Sequence, residues 1–458
     1  MNSNYKQRKS FYTLLVSSLF FPIHEYLKCH NSVSVRKQLE ISQWWPRQQI
    51  EQFQFTRLRR LLFYAQANVP YYHSLFAEIG FNPTEINSLA DLKRLPLLDK
   101  AKIRNNIDTL KSIKAQKLAR FNTGGSSGEP LVFYIGNERI SHDVAAKWRA
   151  TRWWDVDIGD PEIVVWGSPI ELGAQDSIRV LRDRLFRSKL LPAFEMSEQK
   201  LNIFLKEIHS QRPRMLFGYP SALAHIAGHA EKIGMQMDNL GVRVAFVTSE
   251  RLYDDQRQQI SKVFGCSVAN GYGGRDAGFI AHECPVGNMH ITAEDIIVEI
   301  TDHHGIPLPP GQSGEIVITH LASSDFPFIR YRTGDIGSLD DKLCSCGRGL
   351  PLLREIQGRS TDFVMAQNGT VMHGLALIYI LRNLPQISAF KIIQESLNLT
   401  RVWVVSEIGL DPTISEMIKH KFQSRLGQKV EIIIEEVAEI PKEKSGKFRY
   451  VMSKVSPN

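Results

Sequence analysis

Cysteine is scarce in this sequence: five occur among 458 residues, at Cys29, Cys266, Cys284, Cys344 and Cys346. A small, odd number argues against a secreted disulfide framework and for a reducing compartment. Long hydrophobic runs are missing too. The apolar run at 11–23 follows a basic start and is about a dozen residues long, short of the roughly 17–25 that cross a bilayer. Glu25, Tyr26 and Lys28 come next, and no small-residue cleavage site follows. A helix that is buried or lies on a membrane surface is therefore expected, not a signal peptide. The protein is expected in the cytoplasm, with the inner membrane face as the surface such a helix would touch.

Neither sign of charge dominates. Lys and Arg number 56 against 48 Asp and Glu, a net charge of +8 spread along the chain. The basic blocks Lys6-Gln7-Arg8-Lys9 and Lys442-Glu443-Lys444 are short and lack interleaved aromatics, so no nucleic-acid partner is expected. Repeats and low-complexity tracts are absent. What remains, 43% hydrophobic and 23% charged residues, is ordinary for a soluble globular protein, and the length implies at least two domains.

Apolar residues Ile50, Phe53, Leu58, Leu61, Leu62 and Ala65 recur at helical spacing, predicting an amphipathic helix over 46–65. The middle alternates strand and helix: strands at 163–166 and 242–247, helices at 201–209 and 254–264, as in an α/β body with parallel pairing. After Cys284 the texture changes. Strands at 295–299 and 315–319 flank a turn containing His303-His304-Gly305, which reads as a hairpin or small barrel. The adjacent histidines read as a solvated turn, since nothing nearby completes a ligand set. Beyond Gly358, helix at 375–381, strand at 402–405, helix at 414–426 and strand at 430–434 read as a small α+β unit.

One glycine–hydroxyl cluster stands out: Asn122-Thr123-Gly124-Gly125-Ser126-Ser127-Gly128-Glu129-Pro130. Its glycines allow consecutive backbone N–H groups to point one way, and its hydroxyls add donors, a cradle for phosphate oxygens. The run Leu131-Val132-Phe133-Tyr134 that follows is a strand, and no GxxxxGK is present, so this is not a Walker loop. Taken alone, a flexible turn would explain it equally well. Further along come Gly271-Tyr272-Gly273-Gly274-Arg275-Asp276, Tyr331-Arg332-Thr333-Gly334-Asp335, Gly358-Arg359-Ser360-Thr361-Asp362, and a C-terminal Ser445-Gly446-Lys447.

In this order the motifs resemble those of the acyl-adenylate-forming superfamily, and most of all its phenylacetate–CoA ligase family in the CapK-like, capsular-polysaccharide-biosynthesis branch. Val69-Pro70-Tyr71-Tyr72 and Leu95-Pro96-Leu97-Leu98-Asp99-Lys100 carry the narrower match, together with the run Pro327-Phe328-Ile329-Arg330 into Tyr331. The resemblance implies a large multi-subdomain body over 1–358, with a β-rich part at about 285–358. A hinge and a small mobile α+β domain over 359–458 would follow.

It also implies a reaction, in which a carboxylic acid and ATP form an acyl-AMP whose acyl group passes to CoA. Thr123, Gly124, Gly125, Ser126, Ser127 and Gly128 would hold phosphates, and Asp276 would help hold Mg²⁺. Tyr272 would sit against adenine, Gly273 would be among the nucleotide-binding residues, and Asp335 would take the ribose hydroxyls. Ser249, Glu250 and Arg359 would lie near the nucleotide, and Lys447 would be the adenylation lysine. Glu129 stands where many relatives carry lysine, and Arg275 replaces a common threonine and would restore that charge. Thr361 takes the usual hinge acid position, leaving Asp362 nearest. These departures put a standard CoA-ligase cycle in question. Transfer to an amine or hydroxyl of a sugar or lipid precursor, or a non-catalytic nucleotide-binding scaffold, stay open.

Cys284, His290, Cys344 and Cys346 supply three thiolates and an imidazole, the donor types of a closed structural Zn²⁺ site. The Cys-x-Cys spacing is tighter than usual, though similar cysteines occur in phenylacetate–CoA ligase relatives. Four residues without an ion are the alternative.

Overall fold

The computed structural model describes residues 10–123, 131–167, 177–193, 195–357, 363–382, 384–406, 409–440 and 450–455. They form two compact units, one from the described parts of 1–123, 131–160 and 269–358, the other from those of 161–268 and 359–458. The fold is α/β, as expected.

In the first unit the helix Arg47–Asn68 buries Ile50, Leu58, Leu61, Leu62 and Ala65 along one stripe, as the spacing predicts. It ends because Val69 precedes Pro70 and is extended, at φ −118° and ψ 106°, the region that a residue before proline prefers. Phe53 is only half-buried and packs edge-on against Trp45. Seven antiparallel strands follow in the spatial order Ile296–Thr301, Gly314–His320, Tyr331–Asp340, Leu352–Gln357, Met289–Ile291, Gly278–Glu283 and Ser267–Gly274. The predicted hairpin is real: Val298 pairs with Ile318. Its turn is closed by the Asp302 carboxylate, which accepts from the N–H groups of His304 and Ile306. Phe76, Phe133, Ile280, Phe328 and Tyr331 belong to the core that this sheet shares with its helices.

The amino-terminal stretch is helical through Phe11–Leu15, a π-helical turn Val16–Phe20 and Phe21–Leu27. Its inward face is pinned. Thr13 Oγ1 donates to Asp160 at 2.8 Å, Phe21 meets Trp148 edge-on at 5.0 Å, and buried Glu25 accepts from Ser32. Its outward face carries Phe11 and Tyr26, each 81% exposed, with Leu14, Leu19, Ile23 and Leu27. Among the described residues no helix is long and apolar enough to cross a membrane.

In the second unit four parallel strands lie in the order Ser188–Pro192, Glu162–Trp166, Met215–Gly218 and Val244–Thr248. The helices Glu198–Gln211, Pro220–Lys232 and Asp254–Phe264 alternate with them along the chain, the connection that parallel strands need. Residues after 359 add a four-stranded sheet in the order Glu431–Glu436, Leu399–Val405, Ala389–Ser396 and Val451–Ser453. With the helices Leu375–Arg382 and Pro412–Leu426 it builds a core of its own, around Leu377, Phe390, Val402, Ile418 and Phe422.

Candidate active site

In the first unit the strands Ser267–Gly274 and Gly278–Glu283 are joined by a tight turn that holds Arg275 and Asp276. Two glycines allow it. A Cβ on Gly273 would sit 2.3 Å from the Gly278 carbonyl oxygen. Gly278 has φ +80°, and its Cβ would lie 2.8 Å from His320 Nε2 and 3.0 Å from Asp143 Oδ1. Only glycine fits both positions without displacement.

The strand Tyr331–Asp340 reaches this hairpin twice. The Tyr331 ring is fully buried, and its hydroxyl donates to Asp276 Oδ2 at 2.6 Å. Four residues on, the Tyr272 hydroxyl donates to Asp335 Oδ2 at 3.0 Å. Gly334, at φ +78°, turns the backbone before Asp335. Thr333 Oγ1 then accepts from the Asp335 N–H and donates to the Ile316 carbonyl. The two motifs, Gly271 to Asp276 and Tyr331 to Asp335, far apart in sequence, thus interlock through two hydroxyl–carboxylate bonds. Arg139, from the helix Asn137–Arg152, lies beneath the turn and is 1% exposed. Its Nη2 donates to the Asp276 carbonyl at 2.7 Å and to the Arg275 carbonyl at 3.1 Å. The Arg275 side chain is exposed.

In the second unit Ser249 is exposed and left-handed, at φ 72°. Glu250 accepts from the Ser221 hydroxyl in the first turn of the helix Pro220–Lys232. Tyr219, just before that helix, stacks on Trp166 at 4.3 Å and 16°. Burial, with Glu250 adding repulsion, pushes its phenol well above the usual range.

The four soft donors of the β-rich region converge. The ligand atoms of Cys284, His290, Cys344 and Cys346 all lie within 4.8 Å of one another. The Sγ atoms of Cys284 and Cys344 are 3.8 Å apart, and Cys346 Sγ is 3.3 Å from His290 Nε2. Donors at the corners of a zinc tetrahedron lie roughly 3.3–3.8 Å apart, so the set fits the ion. His290 Nδ1 faces the Leu350 carbonyl, the outer contact that fixes a ligating imidazole. Burial pushes His290 down to about 4, which keeps the ring neutral at pH 7. Burial raises the Cys284 thiol to about 11. At Cys344 burial acts the same way, but the Cys346 N–H and the Asn288 amide outweigh it and the thiol falls.

The structure therefore brings together Tyr272, Gly273, Arg275, Asp276 and Asp335 in one unit, and Ser249 with Glu250 in the other. Thr123 lies at the end of a hairpin strand, its N–H bonded to the Leu131 carbonyl. Gly124, Gly125, Ser126, Ser127, Gly128, Arg359 and Lys447 lie outside the described residues. Sequence reasoning missed Arg139. An arginine in a polar helix segment reads as a solvated residue, and no local pattern marks it as buried. It also left Tyr331 without a role inside a motif that it had already isolated.

Known proteins resemble the chain over most of its length. Family models for "AMP-binding enzyme" and "CapK C-terminal domain" match residues 190–322 and 364–454. Protein CapK of Staphylococcus aureus is 22% identical over 88% of this chain and 89% of its own length. A phenylacetate-coenzyme A ligase of Thermus thermophilus is 25% identical over 86% of each. Among solved structures, 2-hydroxyisobutyryl-CoA ligase in complex with 2-HIB-AMP and CoA shares the fold, with a TM-score of 0.66 at 20% identity over 90% of this chain and 91% of that one. With AMP-binding and CapK C-terminal segments in order and relatives matched over most of their length, this chain is similar to the phenylacetate–CoA ligases and to protein CapK, and is an acid–thiol-ligase-like enzyme of the adenylate-forming kind.

Proposed function

We propose that the protein activates a carboxylic acid with ATP and passes the acyl group to CoA. In the first step a carboxylate oxygen attacks the α-phosphorus, an acyl–O–P bond forms, and the bond to pyrophosphate breaks. In the second a thiolate attacks the acyl carbon, and AMP leaves with the bonding electrons. The observation that supports this reading is the interlocked pair Tyr272–Asp335 and Tyr331–Asp276. Asp335 offers carboxylate oxygens to ribose hydroxyls, while Tyr272 lies against the base and Gly273 is among the nucleotide-binding residues. Asp276 is a half-buried carboxylate suited to Mg²⁺, a cation bound through one or two carboxylates together with substrate phosphates. Bound there, the ion would offset charge building on phosphate oxygens. The glycine–hydroxyl run from Thr123 to Gly128, and Ser249, Glu250, Arg275, Arg359 and Lys447, are proposed to serve the same reaction. The CapK-like resemblance adds polysaccharide biosynthesis as the setting.

Pyrophosphate release measured over aryl, fatty and hydroxy acids, with and without CoA, tests the reading. Hydroxylamine traps the acyl-AMP, and sugar amines and alcohols serve as rival acceptors. One acid should release pyrophosphate, and CoA should yield a thioester. Asp335→Ala should weaken nucleotide binding by roughly 1.5–3 kcal/mol, the usual worth of a hydrogen bond to a charged group. ATP bound with no pyrophosphate from any acid would favour a scaffold.

Three further assignments belong to this proposal. Cys284, His290, Cys344 and Cys346 hold a structural Zn²⁺. Residues 359–458 act as a small domain, a reading supported by the family match at 364–454 and by a core of their own. The enzyme works in the cytoplasm and docks on an anionic bilayer through the exposed apolar face at 11–27. The sequence flanks that face with Lys6, Arg8, Lys9 and Lys28, and cations beside an apolar helix face suit anionic headgroups. Wild-type protein should co-sediment with phosphatidylglycerol vesicles and not with phosphatidylcholine vesicles, and Leu19→Glu/Ile23→Glu should abolish it. Dimerisation lost in that variant, without vesicle binding by wild type, would instead assign the face to a second copy.

A further inference from the structure

Asp276 sits in a three-residue turn, where a carboxylate would ordinarily sample several rotamers. Here both its backbone and its side chain are held. The platform beneath the turn is the buried Arg139. Its Nη2 spans the carbonyls of Arg275 and Asp276, and Phe328 lies 5.1 Å from the guanidinium carbon. Asp143 Oδ2 is 3.6 Å from Arg139 Nε, and the other oxygen of that carboxylate lies 3.7 Å from His320 Nε2. Burying a guanidinium costs free energy unless it is paired and hydrogen-bonded. Burial does push Arg139 down, and the carboxylates of Asp143 and Asp276 oppose it. Gly278 presses the turn onto the same group, because any Cβ there would collide with His320 and Asp143.

The second restraint is Tyr331. Its ring is fully buried and meets Phe328 edge-on at 5.1 Å, so its hydroxyl is a fixed donor. At 2.6 Å from Asp276 Oδ2 it makes a charge-assisted bond, the stronger class.

We propose that Tyr331 and Arg139 are positioning residues for Asp276. Tyr331 donates to Oδ2 and the Ala277 N–H donates to Oδ1 at 3.2 Å, which set the carboxylate in one orientation and leave its remaining lone pairs for a divalent cation, while Arg139 fixes the height of the turn. The inference rests on the reading of Asp276 as the acid that holds Mg²⁺. A carboxylate set in one orientation before the ligand arrives loses less entropy on binding, and a misplacement near 1 Å is enough to cost about 10²-fold.

The test is calorimetric binding of ATP to the full chain as a function of Mg²⁺, with metal-free AMP binding and thermal unfolding measured alongside. Tyr331→Phe removes one hydroxyl from a buried ring. It should raise half-saturating Mg²⁺ by roughly 10- to 100-fold, with AMP affinity retained. Arg139→Lys keeps the charge but loses the fork and should shift Mg²⁺ in the same direction; if it does not fold, Tyr331→Phe carries the test alone. In an Asp276→Asn background, Tyr331→Phe should add nothing. An unchanged Mg²⁺ requirement in Tyr331→Phe, beside a raised one in Asp276→Asn, would overturn the positioning role and leave the Asp276 reading intact. Additive effects in the double variant would overturn it as well. An Asp276→Asn protein with wild-type Mg²⁺ dependence would remove the reading and this proposal together.

Discussion

At His225, on the helix Pro220–Lys232, burial meets a titratable ring. Desolvation, with His229 adding repulsion, pushes the imidazole down to about 4, while a hydrogen bond to the Met196 backbone works the other way. Its Nε2 has no hydrogen-bond partner among the described residues, so protonation there would bury an unpaired N–H. The unfolded chain takes up this proton near pH 6.5 and the folded chain near 4. Stability is therefore complete above pH 6.5 and falls as the pH drops through that window, by at most about 3 kcal/mol. Thermal unfolding from pH 7 to 5 should show a smaller loss in His225→Gln than in wild type, and parallel curves would exclude the effect. Nothing in the sequence marks His225, because helical spacing does not reveal what lies against a side chain. Asp335, Asp276 and Tyr272 were legible because their motifs carry chemistry in a short run. Arg139 was not, since its partners are the carbonyls of residues far along the chain, and a carbonyl has no signature in sequence.

Elements with a clean period were read well. The helices Arg47–Asn68 and Asp254–Phe264 and the hairpin strands Ile296–Thr301 and Gly314–His320 match their predicted spans to within a few residues. The strands Met215–Gly218 and Ala389–Ser396 passed unnoticed. The first is a short, wholly buried run without alternation, and the second interrupts its apolar residues with Lys391 and Gln394, both buried. The Cys/His cluster depends on elements too. The strand Met289–Ile291 pairs with Gly278–Glu283 and Leu352–Gln357 and carries His290, while Cys284 follows the Gly278–Glu283 strand directly. The tight Cys344-x-Cys346 turn adds two more donors, with Asn288 Nδ2 3.2 Å from Cys344 Sγ. Protein purified without chelator should contain about one zinc per chain by metal analysis. Cys344→Ser should lose it, with a lower Tm and lower solubility, and its residual folded fraction should still adenylate. No stoichiometric zinc in wild type would end the assignment.

Across the whole molecule, the reading joins motifs from Thr123 to Lys447, most of the chain. Lys447 carries its sharpest consequence. When the substrate carboxylate attacks, the α-phosphorus gains a fifth oxygen, and negative charge accumulates on atoms that held less of it in ATP. A lysine ammonium is a compact point charge on a long, flexible stem. A contact made chiefly in the transition state raises kcat and leaves ground-state binding alone. Removing one such electrostatic group typically costs about 2.7–4 kcal/mol, or roughly 10²–10³ in rate. Lys447→Ala should therefore slow pyrophosphate release by that factor, with ATP affinity and Tm close to wild type. In the second step the acyl C–O bond breaks and phosphorus keeps four oxygens throughout, so the charge that the lysine meets does not form. Supplied with preformed acyl-AMP and CoA, Lys447→Ala should make thioester at near the wild-type rate. Single-turnover measurement of the two half-reactions separates the outcomes. Equal adenylation rates in variant and wild type would mean that the cation comes from elsewhere in the chain, with Arg275, exposed at the turn beside Asp276, as the first residue to replace.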